Sequence, residues 1–168
     1  MRDISNGYSH LLDTATKQRE AARNAAFKAC PILKDYLATA LQDLQLSEAD
    51  EACLEEREER DSGTVYDCPD SVFQWAQTYC ERFMVEQSGN IEAVLQAEAG
   101  SEGFEWCRDN PARLTHDGIG STLYLASVGH GVGFTDDGRA PCLEALDDWA
   151  SANNRDSLYF GDDGKVYA

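Results

Sequence analysis

Two histidines and three aspartates fall within a short stretch of the chain, His116, Asp117, His130, Asp136 and Asp137. Two imidazoles and a carboxylate can hold a non-haem metal ion, and a His–Asp pair is the usual way to orient a general base. One reading therefore makes a small metal-dependent enzyme or metal-binding protein from His130 with His116 or Asp136. The spacing alone does not force these groups to converge. The reading taken first is non-enzymatic and assigns no catalytic residue, metal or cofactor. Six cysteines are scattered without a C-x-x-C pair, which gives no zinc spacing and fits thiols kept reduced as small apolar side chains.

His130 lies in SVGHGVGFTDDG, residues 127–138. A dinucleotide fingerprint needs G-x-G-x-x-G running from strand into helix, and a P-loop needs G-x-x-x-x-G-K-[ST]; neither spacing is present. In an extended chain Gly129, Gly131 and Gly133 would share one face and His130, Val132 and Phe134 the other. That pattern reads as a glycine-faced strand or hairpin with a hydrogen-bonded structural histidine.

The densest chemistry is acidic. Segment 47–61, SEADEACLEEREERD, reads as a helix on which Glu48, Glu51, Glu55 and Glu58 recur three or four residues apart and line one face. With Asp50, Glu56, Glu59 and Asp61 they form a candidate partner-binding surface, partly neutralised by Arg57 and Arg60. Carboxylates one helical turn apart lie ~5.4 Å from each other along the axis. B-DNA carries a charge every ~1.7 Å of axis, so a single stripe is sparser than a phosphate backbone. Several acidic helices side by side approach that density.

The whole chain shares this bias. Thirty-one acidic residues stand against 14 basic ones among 168, a net charge of −17. Residues 1–34 carry +3, residues 35–112 carry −15 and residues 113–168 carry −5. Such a chain repels nucleic acid and anionic membrane, and its natural partners are basic surfaces. The plain alternative is that the charge serves solubility. No apolar run reaches the ~18 residues of a membrane span, and the first residues lack a signal peptide's pattern, so a cytoplasmic location is expected. Oligomeric state is not legible.

Elements must position these groups. Ala-rich sequence from Leu11 to Ala29 favours a helix that Pro31 ends. Leu33, Tyr36, Leu37, Ala40, Leu41 and Leu44 mark a second, and SVFQWAQTYCERFMVEQ, from Asp70 or Ser71, a strongly amphipathic third. A short helix capped by Asn90 carries Ile91, Val94 and Leu95. In the next segment Phe104 and Trp106 are expected to anchor one turn to the core. From residue 121 the period changes to two, and STLYLASV reads as a strand. A helix near 141–153 and two short strands around GDDG complete the chain. The expected fold is α+β. A helical region, residues 1–112, precedes a β-β-α-β-β module, residues 113–168, with a small, mainly antiparallel sheet and a core shared with the helices.

GHGVGFTDDG, followed by LYFGDDGKVY, resembles a group of small acidic proteins of phages and their bacterial hosts. They share a Gly-His-Gly-x-Gly-Phe segment and a C-terminal Gly-Asp-Asp-Gly hairpin; this chain departs from the pattern at Val128 and Thr135. The resemblance covers residues 117–167 and carries no assigned activity. It implies a phage or mobile-element accessory protein. With the charge, it points to an inhibitor or DNA mimic that occupies the basic channel of a host restriction or CRISPR-type protein. A virion or assembly component is the remaining alternative.

Overall fold

The computed structural model describes residues 5–47, 64–160 and 166–168. Helix α1 (Ser5–Ala29) gives way at Pro31 to α2 (Leu33–Ser47). Then come α3 (Asp70–Glu86), α4 (Ser88–Leu95), α5 (His116–Ser127) and α6 (Pro141–Ala152). Three 3₁₀ turns lie between them, at Glu105–Arg108, Pro111–Leu114 and Phe134–Asp137. Strands β1 (Tyr159–Phe160) and β2 (Val166–Tyr167) pair antiparallel, Tyr159 opposite Tyr167 and Phe160 opposite Val166.

The core is built from one face of each helix. Leu33, Tyr36, Leu37, Ala40 and Leu44 of α2 meet Val72, Ala76, Tyr79, Cys80 and Phe83 of α3. Both sets follow the three-and-four spacing of an apolar helix stripe. Ile119, Leu123 and Tyr124 of α5 and Leu143, Leu146 and Trp149 of α6 close the same cluster. Helices α2 and α5 form the most extensive pairing. Gly120 permits it, because a methyl group there would overlap the carbonyl oxygen of Ile32. Tyr36 sits centrally, 5.4 Å from the Tyr124 ring, 5.7 Å from Tyr79 and 5.9 Å from Trp75.

Among its described side chains, helix α1 is attached through its last turns. Residues 14–22 are exposed, whereas Arg23 is buried and its guanidinium donates to the carbonyls of Val65 (3.0 Å) and Cys68 (2.7 Å) and to Asp70 Oδ1 (2.7 Å). Phe27 packs edge-on to Tyr66 and Phe73.

The α+β expectation is overturned. STLYLASV is not a strand but most of α5. Thr115 caps that helix, its Oγ accepting from Gly118 N at 3.2 Å, and Asp117 lies in the first turn, where the helix dipole favours a negative charge. The true period is Ile119, Leu123, Ser127; eight residues beginning after the cap are too few to separate it from alternation. SVGHGVGF is not a strand either. Gly129 and Gly131 have φ of +76° and +73°, and the start of the segment is the helix's terminator. His130 N donates to Leu125 O (3.1 Å) and Gly129 N to Ala126 O (3.4 Å), the paired bonds of a Schellman motif. Strand structure among the described residues is thus limited to the β1–β2 pairing, and the predicted β-β-α-β-β module with its sheet does not form.

Candidate interaction cleft

The eight acidic residues predicted as the partner-binding face, Glu48, Asp50, Glu51, Glu55, Glu56, Glu58, Glu59 and Asp61, lie outside the described residues. A second acidic segment lies within them. Residues 88–112 contain Glu92, Glu98, Glu102, Glu105 and Asp109, all exposed, against the single exposed cation Arg108. Glu144 and Asp148, on neighbouring α6, are exposed too.

Two of these carboxylates, Glu102 and Glu105, line a cleft of about 500 Å³ together with Gly103, Trp106, Thr135, Asp136, Gly138 and Arg139. Its floor is a crossing of two backbones. Gly103 O accepts from Arg139 N (3.0 Å) and Ala140 N (3.3 Å). Gly138, at φ +152°, allows the approach, since a Cβ there would overlap Gly103 O. On one side the turn Glu105–Arg108 is pinned by buried Phe104 and Cys107. On the other, Phe134 is buried and stacks on Phe83 at 6.1 Å. Asp147 of α6 accepts from Phe134 N (2.9 Å) and Thr135 Oγ1 (3.1 Å) and so holds that turn in place. Asp137, buried beneath it, takes Arg113 Nη1 at 2.7 Å. Burial pushes the Asp137 carboxyl above its ordinary range, and Arg113 opposes the shift only in part.

Trp106 was expected in the core and is instead 75% exposed, the indole standing at the cleft wall. Cys107 follows Phe104 by three positions, one 3₁₀ turn, which puts Trp106 on the other side. Glu105 Oε1 accepts from Gly103 N (3.0 Å), and that bond, with its own backbone amide, holds its carboxyl below the usual range. Among the described residues the side chains of Glu102, Trp106 and Arg139 have no hydrogen-bond, ion-pair or ring partner.

The histidine reading meets a different geometry. His130 Nε2 lies 2.9 Å from Asp43 Oδ1 of α2, and Tyr124 Oη donates to Asp43 Oδ2 at 2.6 Å. Burial, then the bond to Asp43, pushes the Tyr124 hydroxyl well above its ordinary pKa. Asp43 was not singled out from the sequence; its only signal is a carboxylate at the edge of α2's apolar stripe. Asp136, by contrast, accepts from Gly133 N (2.9 Å) within its own turn. His116 is the first residue of α5. No group of three potential metal ligands forms among the described residues.

No protein-family model matches the chain, and neither does a curated protein or a solved structure. No helix among the described residues is long and apolar enough to cross a membrane.

Proposed function

We propose that the protein is a non-enzymatic, acidic binding protein whose carboxylate-rich surface engages a basic surface of a protein partner. The observation that supports this most is the segment 88–112, five exposed carboxylates to one exposed arginine, on a chain of net charge −17. Charge of one sign, concentrated on an ordered surface, steers a basic partner and repels nucleic acid. A nucleic-acid-binding protein fits best, its basic channel being the complement of such a surface. The short resemblance to acidic phage-encoded proteins favours a host defence protein of the restriction or CRISPR type and a setting in the host cytoplasm.

Capture of partners on the immobilised chain, at low and at high salt, tests this reading. Proteins with basic nucleic-acid channels should be retained at low salt, released at high salt and lost on Glu92→Lys, Glu98→Lys and Asp109→Lys together. Retention that neither salt nor charge reversal alters would contradict it.

A further inference from the structure

The three tryptophans differ in one respect. Trp149 has the Arg82 guanidinium 5.5 Å from its ring centroid, and Arg82 is held by Glu86 at 2.8 Å. Glu86 also accepts from Trp149 Nε1 at 2.7 Å, completing an assembly of indole, carboxylate and guanidinium. Trp75 likewise has a guanidinium, that of Arg155, at 6.0 Å. Trp106 has its carboxylates, Glu102 and Glu105, around the same cleft, and no guanidinium over its ring among the described residues.

We propose that the Trp106 cleft receives an arginine side chain of a protein partner. The indole supplies a face for the guanidinium, and Glu102 and Glu105 supply the opposing charge. Trp is the strongest aromatic partner for a cation, and arginine's planar head stacks as well as pairs, which lysine cannot do. Glu102 has both oxygens available and Glu105 retains Oε2, since its Oε1 is taken by Gly103 N. Arg139 lines the cleft and carries a like charge that an incoming arginine meets, and exposed Arg108, in the same turn as Trp106, adds a second close to Glu105. Both therefore limit affinity and do not contribute to it. This inference rests on the acidic-surface reading and narrows it to one pocket and one side-chain class.

The test follows the tryptophan indole N–H signals of the full chain by NMR, the Trp106 signal being assigned with Trp106→Phe. The probe is Nα-acetyl-arginine amide, and its neutral isostere Nα-acetyl-citrulline amide is the control. The arginine probe should shift the Trp106 signal saturably, and high salt should reverse the shift, while the citrulline probe leaves it in place. Glu102→Gln with Glu105→Gln should weaken binding roughly two- to five-fold, and Arg139→Ala should strengthen it by a similar factor. A Trp106 signal that stays still while other surface signals move, or that responds equally to citrulline, overturns the proposal. With a captured basic partner the two ideas separate. Salt-sensitive binding that survives Trp106→Ala removes the cleft and leaves the acidic-surface reading standing, whereas binding indifferent to salt removes both.

Discussion

Arg23 is the buried cation that ties α1 to the rest of the molecule, and its replacement by methionine has a calculable consequence. Its side chain is 3% exposed, and it donates to two main-chain carbonyls, those of Val65 and Cys68, and to the Asp70 carboxylate. The guanidinium also lies 4.8 Å from the Phe73 ring centroid. Hydrogen bonds from a charged donor contribute about 1.5–3 kcal/mol each when buried. Asp70 is 73% exposed, so solvent screens that pair to at most about 1 kcal/mol. Arg23→Met keeps the aliphatic packing, loses both carbonyl bonds and should destabilise the fold by about 4 kcal/mol. In a domain of this size that lowers Tm by about 8–16 °C. Asp70→Asn should cost less than about 1 kcal/mol, because the carbonyls stay satisfied. Urea unfolding followed by circular dichroism measures both. The reasoning fails if Arg23→Met is within about 1 kcal/mol of wild type, or if Asp70→Asn destabilises as much as Arg23→Met.

Three further outcomes are expected. Gly138→Ala places a methyl group against Gly103 O at a backbone conformation that only glycine adopts readily, and should lose about 3 kcal/mol in urea unfolding. Asp137, its pKa raised by burial, binds more protons in the native than in the unfolded chain between its ordinary and its folded pKa. Stability therefore falls as pH rises through that window. Asp137→Asn, which cannot titrate, should abolish this component in unfolding measured across pH, and an unchanged slope would show that it lies elsewhere. Asp35 is pushed above the ordinary carboxylate range by burial first and then by neighbouring Asp117. Asp117→Asn should lower its titration midpoint in an NMR pH series.

Much of the helical framework is legible from apolar spacing. The stripe on α2, the run from Asp70 and the helix after Pro141 are found within a residue or two of where the sequence puts them. The failure at α5 is physical as well as statistical. Leu123 and Leu125 alternate, but the residues that decide the period, Ile119 and Gly120, lie before that window, and Gly129 is the stop signal after it. The glycines of SVGHGVGFTDDG are visible as special positions. Gly129 closes a helix locally, whereas Gly133 faces Asp147 and Gly138 lies on Gly103. Those last two contacts are tertiary and leave no local trace. The exposure of Trp106 was readable only from the three-residue step between Phe104 and Cys107. Asp43, 2.9 Å from His130 and 87 positions earlier in the chain, was not legible as its partner.

The central claim is that a carboxylate-rich surface binds a basic protein surface. Affinity for the captured partner, measured by calorimetry over a series of salt concentrations, tests it most directly. Affinity should fall steeply as salt rises and should collapse when Glu92, Glu98 and Asp109 are reversed to lysine. An affinity that holds constant across the salt series and survives the reversal would contradict the claim.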